Sequence, residues 1–502
     1  MRSESYVFAI GSQPQTITPG VRSIPFGKQH ALRVLLCALF LYFFLLTFDW
    51  LLVSSGLPTD LALAVVHLSG ALSLLVFWKY GRWGRAKFDS FGSALLLIGA
   101  AFRIQAMIDA LIYGNRIDEI ARYPNVPIRD SIYALFAKGE FITVTGLLLI
   151  GCTWRFFIGK DIEKYSFLHG NQKIPRRTMD FLYGAAIFVI FLRKVVEVSF
   201  GPFEQVSLLL YIAGIAAIYY ISSRRSTTAR QLAAALILAL PLSILALNGG
   251  MKEEIFFPFV PMALIYWTRY RYSLARVLAV SVFVIVLAIS QLYVHHVRAM
   301  SWRSTGDLDI PTRVLIGSFI DNIGSIDPMD ALNQISSRVN MTAAHAITVS
   351  LADHYGYRSV EVFGLIPASL VPRVLWPGKP ILQPGALHTA RILGVTDPIS
   401  EIRSASAAGF STELYLGGGW VGLILGAIVY AWLLAKTQKW CLRFSPGFGH
   451  QILSFITLYW TIRFDEKHIV YAYTSIIFTV IFIWFAHTIV RLLGMKSADK
   501  NI

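Results

Sequence analysis

Two cations, Arg373 and Lys379, stand in the proline-rich segment 372–380 (PRVLWPGKP). The prolines restrict the backbone, and Trp376 is a residue type that favours the membrane interface. A guanidinium group offers two parallel charge-assisted hydrogen bonds to a phosphate and stays ionised near lipid. The segment therefore predicts a stiff loop that binds an anionic ligand at a membrane surface.

Three further cations are candidates for the same anion: Arg298, Arg338 and Lys252. An ion pair with a nearby acid would explain Arg298 and Arg338 equally well. Lys252 follows two glycines, which an ordinary hairpin turn would also explain. Segment 295–410 holds nine Lys and Arg residues and nine Asp and Glu residues, so its bulk charge predicts nothing. The prediction of an anion site depends on the placement of individual cations.

Two residues have the chemistry of a general base, His345 and Glu413. His345 is equally explained as an ordinary hydrogen-bonded histidine, and Glu413 as a carboxylate that bonds a neighbouring helix end. The glycines that follow Glu413 predict close packing between helices. These are Gly417, Gly418, Gly419, Gly422 and Gly426.

A metal site is not expected. His295 and His296 are adjacent, and adjacent side chains on a helix diverge, whereas zinc needs three or four converging ligands. No H-E-x-x-H pattern occurs in the chain. We therefore predict neither a metal nor another cofactor.

Charged residues inside apolar runs are costly and usually face a partner or a polar cavity. Arg103 and Asp109 stand in one such run, and Arg193 and Glu197 in another. An internal ion pair and a contact with substrate are both open interpretations. The charged segment 463–468 is instead predicted to be a solvated turn.

The elements that must position these residues are membrane helices. The chain has 502 residues, of which 55% are hydrophobic and 15% charged, which excludes an ordinary soluble protein. A span takes about 20 apolar residues. About twelve runs near that length are predicted, at 32–53, 60–78, 93–113, 134–154, 180–198, 204–222, 230–248, 254–268, 273–294, 411–435, 449–463 and 471–493.

Lys and Arg gather in alternate loops, which places those loops and both termini in the cytoplasm. This anchoring explains most of the net charge of +16 and leaves no basic domain for nucleic acid. Three parts follow: helices one to nine in 1–294, a periplasmic loop module in 295–410, and helices ten to twelve in 411–502. Apolar spacing predicts an amphipathic helix over 328–351 of the loop module.

With these residues in hand, the chain resembles the O-antigen polymerase (Wzy-like) family. The resemblance rests on segment 372–380, on residues 413–416 (ELYL) with the glycines after them, and on a many-span bundle with one long outer loop. Family members often carry a polar or acidic residue where Gly378 stands, so no side-chain role transfers to that position.

The resemblance implies an all-α, GT-C-like bundle in the bacterial inner membrane. It also implies transfer of a growing glycan from undecaprenyl pyrophosphate to a sugar hydroxyl of another lipid-linked repeat unit. The expected partners are that lipid-linked oligosaccharide, membrane lipids and a chain-length regulator protein. Two alternatives stay open: an O-antigen ligase, and a flippase or other transporter of lipid-linked oligosaccharide.

Overall fold

The computed structural model describes residues 58–81, 90–113, 131–159, 312–324, 340–371, 384–393, 408–444, 464–466 and 468–492, with isolated positions elsewhere. Every regular element in these ranges is helical. The helices are α1 (Thr59–Tyr80), α2 (Phe91–Tyr113), α3 (Ile132–Ile158), α4 (Thr312–Ile323), α5 (Thr342–Tyr355), α6 (Ser359–Phe363), α7 (Leu365–Leu370), α8 (Pro384–Leu393), α9 (Phe410–Phe444) and α10 (Ile469–Leu492).

Four of these helices are long and apolar enough to cross a membrane: α1, α2, α3 and α9. Helices α1, α2 and α3 contain no proline, so proline does not interrupt their backbone hydrogen bonds. The chain is thus a helical membrane protein, and the predicted spans 60–78, 93–113 and 134–154 are confirmed as helices. The spans between 180 and 268 lie outside the described residues. The total of twelve and the three-part division stay predictions.

Helices α1, α2 and α3 pack against one another and bring three helix ends together. These ends are the start of α1 at Thr59, the end of α2 at Tyr113 and the start of α3 at Ile132, and we call them the loop end of the bundle. Helix α5 packs on α3 and α9. This packing positions residues from distant parts of the sequence side by side.

Helix α9 is a hairpin, not the single span that the sequence predicts. Gly418 and Gly419 leave the helical conformation, and Gly419 has φ +59°, which favours glycine. A straight helix would separate Phe410 and Tyr430 by about 30 Å, yet their ring centroids are 4.8 Å apart. A short arm (410–417) therefore runs antiparallel to a long arm (420–444).

The close packing predicted for the glycines is present, but the partner is the short arm of the same helix. A Cβ atom on Gly422 would lie 2.6 Å from the Leu414 carbonyl oxygen, and one on Gly426 would overlap the Leu414 side chain. The two glycines therefore let the arms approach to backbone distance.

The predicted helix over 328–351 is wrong in its extent. Asn340 and Met341 are not helical, and α5 begins at Thr342. The Asn340 side chain accepts hydrogen bonds from the backbone N–H and the hydroxyl of Thr342, which forms a local turn just before the helix start. Helix α5 is also mostly buried in the bundle, because its residues from Ala346 to Ala352 are covered.

Candidate functional site

Ionisable and polar side chains from five elements meet below the loop end of the bundle. We call this group the buried polar centre. Its members are His67 on α1, Arg103 on α2, Glu140 and Thr143 on α3, His345 on α5, and Asp465 in the 3₁₀ turn Phe464–Glu466. All of them are buried. Isolated charges at such positions would be costly, so pairing has to offset their desolvation.

Arg103 is the central cation. Its Nε lies 3.2 Å from Oε1 of Glu140, and its Nη2 is hydrogen-bonded to Oδ2 of Asp465. The side chains of the three residues are at most 5% exposed. Nη1 of Arg103 is also buried and has no hydrogen-bond partner among the residues that the structure describes. N–H donors of a fixed cation thus remain available beside two carboxylates.

His67 extends the centre to α1, because its Nδ1 lies 3.4 Å from Oε1 of Glu140. His67 and Glu140 each stand eight residues from the loop end, and Arg103 stands ten residues from it. At 1.5 Å per residue, all three lie about 12 to 15 Å below the loop end. The three helices therefore present their polar groups at one depth.

His345 connects the centre to α5. Its Nε2 lies 3.1 Å from the carbonyl oxygen of Asp465, and its Nδ1 lies 3.3 Å from the hydroxyl of Thr143. Complete burial lowers the pKa of His345 below its ordinary value, and the positive charge of Arg103 acts in the same direction. The neutral ring thus donates from Nε2–H to the carbonyl, and Nδ1 faces the hydroxyl.

The chain before α9 has to pass close to this ring. Gly409 has φ +77°, and a Cβ atom there would overlap Nε2 of His345. A side chain at this position would displace the imidazole from Asp465.

Glu413 lies on the short arm of α9 and holds the start of α10. Its Oε2 accepts a hydrogen bond of 2.7 Å from the backbone N–H of Ile469, and its Oε1 lies 3.2 Å from Nδ1 of His468. A carboxylate at a helix N-terminus satisfies a free N–H group and complements the helix dipole. Of the two roles left open by the sequence, the bond to a neighbouring helix end is present. The role as general base stays a prediction.

Two charged residues of segment 463–468, Asp465 and His468, are not solvated as the sequence predicts. Asp465 is 4% exposed and His468 is 7% exposed. Burial is possible because Asp465 pairs with Arg103 and His468 with Glu413.

A second group of charges lies near the start of α6. Nη1 of Arg358 is 3.1 Å from Oε1 of Glu361, and Nη2 of Arg391 pairs with Oε2 of the same carboxylate. Burial lowers the pKa of Arg391 to about 10, and the Arg358 charge contributes, so Arg391 remains a cation at neutral pH. Two guanidinium groups thus share the Glu361 carboxylate, and the negative charge of Glu413 also acts on Arg391.

The predicted site residues fall into two groups. His345 and Glu413 are both buried, and each contacts part of the turn and helix start at 464–469. Five predicted cations lie outside the described residues: Arg298, Arg338, Arg373, Lys379 and Lys252. Trp376 is described and is 42% exposed.

Sequence reasoning missed Glu140 and His67. A usable signal existed, because Glu140 is an acid within an apolar run, at a distance from its helix end close to that of Arg103 from its own. The pair Arg358 and Arg391 was also missed, since nothing local connects α8 with α6.

A protein-family model described as Domain of unknown function (DUF8712) matches residues 154–495. No curated protein and no solved structure matches the chain. The matched range includes His345, Glu413 and Asp465, whereas Arg103 and Glu140 precede it. Because the match extends over more than half of the chain, this protein belongs to the family of that domain of unknown function.

Proposed function

We propose that the chain is a metal-independent membrane glycosyltransferase that polymerises lipid-linked repeat units. The donor would be a glycan on undecaprenyl pyrophosphate, and the acceptor a sugar hydroxyl of another unit, at the outer face of the bacterial inner membrane. The observation that carries the proposal is the convergence of His345, Arg103 and two carboxylates at one depth in a membrane bundle. Intramembrane groups of this kind usually mark a functional site.

Glycosyl transfer to a hydroxyl needs a group that accepts a proton. His345 fits this role in its protonation state, since burial keeps the ring neutral. Nδ1 is the nitrogen that would take up a proton, and the Thr143 hydroxyl lies next to it. Glu413 is the other sequence candidate, and its two oxygens are already engaged at the start of α10. We therefore favour His345.

Departure of pyrophosphate from the anomeric carbon develops negative charge, which fixed guanidinium groups stabilise without a metal. Arg358 and Arg391 supply two such groups. They add to the cations proposed from the sequence, among which Arg373 and Lys379 lie in the proline-rich segment. Each guanidinium group carries five N–H donors and uses only part of them on Glu361, which leaves donors for the oxygens of an anion.

The test is a reaction with purified protein in lipid nanodiscs, undecaprenyl-pyrophosphate-linked repeat units and EDTA. Products two or more units long are expected, and their absence with well-folded protein would refute the proposal. His345→Gln keeps a donor for the Asp465 carbonyl but cannot take up a proton, so it should lose most activity. His354→Gln, on the same helix beside Tyr355, is the matched control.

The proposed anion site has its own test. Arg391→Gln and Arg373→Ala should each abolish long-chain polysaccharide in cells while the protein stays in the membrane. The exposed Arg313 on α4 provides the control Arg313→Gln. Unaltered chain length in both site variants would reject the anion site.

A second function is favoured by one specific observation. Chains of His, Asp and Glu inside membrane bundles also serve as proton relays in transporters. His67 and Glu140 form such a pair, and Arg103 holds Asp465 close to them. A flippase reconstituted in proteoliposomes would move a labelled lipid-linked unit from one leaflet to the other and leave its length unchanged. The two functions thus give different products from the same substrate.

Orientation is tested separately at Trp376, which is exposed. In Trp376→Cys, a membrane-impermeant thiol reagent should label the new cysteine from outside intact spheroplasts. Labelling only after permeabilisation would place the segment in the cytoplasm and contradict a reaction at the outer face.

A further inference from the structure

Three aromatic side chains and one ion pair form a partly exposed cluster where α5, the turn of α9 and α3 meet. We call it the aromatic platform, and its members are Tyr357, Tyr415, Trp420, Lys138 and Asp353. None of these residues belongs to the buried polar centre. The platform is therefore a separate feature that the proposed proton transfer does not use.

The rings hold one another at right angles. Tyr415 packs edge-to-face against Tyr357 at 5.9 Å and against Trp420 at 5.6 Å between centroids. Phe141 supports Trp420 from α3 at 5.5 Å. Edge-to-face packing of this kind stabilises aromatic pairs beyond their buried area. The two outer rings are thus fixed in orientation.

The glycine turn of α9 makes room for one of these rings. A Cβ atom on Gly419 would lie 2.6 Å from the Tyr357 ring. The Tyr357 ring therefore lies directly on the turn backbone, which only glycine permits.

Polar groups border the rings. The Tyr415 hydroxyl donates a hydrogen bond of 3.0 Å to Oδ1 of Asp353, and Nζ of Lys138 lies 2.5 Å from Oδ2. The same ammonium is 5.5 Å from the centroid of the Tyr415 ring. Lys138 and Asp353 thus keep fixed positions and still have donor and acceptor capacity left.

The middle ring of the platform is buried, and the two outer rings are exposed to a ligand. Tyr415 is 2% exposed, whereas Tyr357 and Trp420 are 55% and 38% exposed. The side chains of Lys138 and Asp353 are 37% and 32% exposed. A ligand can therefore touch two aromatic rings and the ion pair at once.

We propose that the aromatic platform binds a sugar residue of the acceptor glycan. A pyranose ring has an apolar C–H face, which packs on aromatic rings, and a rim of hydroxyls, which bonds to carboxylate and ammonium groups. The platform offers both. Asp353 follows His345 by eight residues on α5, so the platform lies about 12 Å along that helix from the proposed base. The choice of a glycan rests on the proposed function.

A lipid-facing belt would also contain tryptophan and tyrosine. Trp432, on the long arm of α9, represents that kind of residue. It is 41% exposed and makes no hydrogen bond or ring contact with another described residue. Trp420 differs because its ring packs on Phe141 and on Tyr415, whose hydroxyl bonds Asp353. The contrast between the two tryptophans makes Trp432 the matched control.

The experiment measures binding of a lipid-free repeat-unit oligosaccharide, released from its undecaprenyl carrier by mild acid, to the full chain in nanodiscs. Saturation-transfer-difference NMR gives the dissociation constant. Alkyl maltosides are excluded throughout, because their sugar headgroups would compete. The variants are Tyr357→Ala, Trp420→Ala and Trp420→Phe, with Trp432→Ala as control.

Tyr357→Ala and Trp420→Ala should each weaken binding about tenfold, whereas Trp420→Phe and Trp432→Ala should bind like the wild-type chain. No saturable binding to the wild-type chain, or equal affinities for Trp420→Ala and Trp432→Ala, would overturn the inference. Binding does not need turnover, so the two proposals fail independently. Platform-dependent binding without elongated products would remove the reaction alone, and elongation with unaltered binding in both alanine variants would remove the platform alone.

Discussion

The contribution of the buried polar centre to the free energy of unfolding can be measured by removing its cation, Arg103. Arg103→Met leaves Glu140 and Asp465 buried without their partner, and their side chains are 1% and 5% exposed. Breaking a buried ion pair on one side costs about 3 to 5 kcal/mol. We expect a loss of that size in the free energy of unfolding.

A double-mutant cycle shows whether the charges act together. Glu140→Gln alone leaves Arg103 paired with Asp465, so its expected cost is smaller, about 1 to 3 kcal/mol. In the double variant one of the two unpaired acids is gone. The combined cost should therefore fall below the sum of the single costs by about 0.5 to 3 kcal/mol.

The chain supplies both a probe and a control for this measurement. Cys152 and Cys441 are buried thiols, so a thiol-reactive fluorophore labels them as the protein unfolds in mixed micelles of rising SDS content. Lys138→Gln breaks an ion pair whose side chains are 37% and 32% exposed, and it should cost at most about 1 kcal/mol. An Arg103→Met cost no larger than this control, or strictly additive costs in the cycle, would refute the reasoning.

Three further predictions concern other parts of the site. Burial, helped by His468, lowers the pKa of His388 to about 3. The unfolded chain therefore binds one more proton from its ordinary pKa of about 6.5 down to about 3, and stability should fall by about 1.4 kcal/mol per pH unit as the pH drops through that window. In His388→Gln the melting temperature should depend less on pH. Glu413→Gln should keep the hydrogen bond to the Ile469 amide, whereas Glu413→Ala should increase hydrogen exchange at that amide and cost about 1 kcal/mol. Gly419→Ala should destabilise the hairpin by more than about 2 kcal/mol, because it combines a positive φ with overlap of the Tyr357 ring; thermal unfolding measures this.

Matched variants decide how these results are interpreted. Gly159 also has a positive φ, but a Cβ atom there would meet nothing within 4 Å. A Gly159→Ala cost equal to that of Gly419→Ala would contradict the predicted overlap. For Glu413, loss of glycosyl transfer in the Gln variant with normal amide protection would identify it as the base. For His388, an unaltered pH slope in the Gln variant would assign the titration to another group.

Local sequence determined the helices. The apolar runs at 60–78, 93–113 and 134–154 are helical in the structure, because an unbroken apolar segment in lipid has to satisfy its backbone hydrogen bonds within itself. The sequence also identified Arg103 as a costly charge, and His345 and Glu413 as residues of interest. The sequence did not predict the burial of a charged residue whose partner is distant in the chain. The charged segment 463–468 looks solvated until Arg103 is placed beside Asp465, which is 362 residues away.

Composition and hydropathy alone thus established a helical membrane protein with polar residues in unusual places. Tertiary structure decided which of those residues meet. The α9 hairpin depends on whether the short arm packs on the long arm, and the same glycines would permit a straight close-packed helix. Burial of Asp465 and His468 likewise depends on their partners, because desolvating a charge is tolerated only where an opposite charge or a hydrogen-bond partner is held in contact. Local periodicity carries no information about such long-range pairs, whereas the folded bundle fixes them.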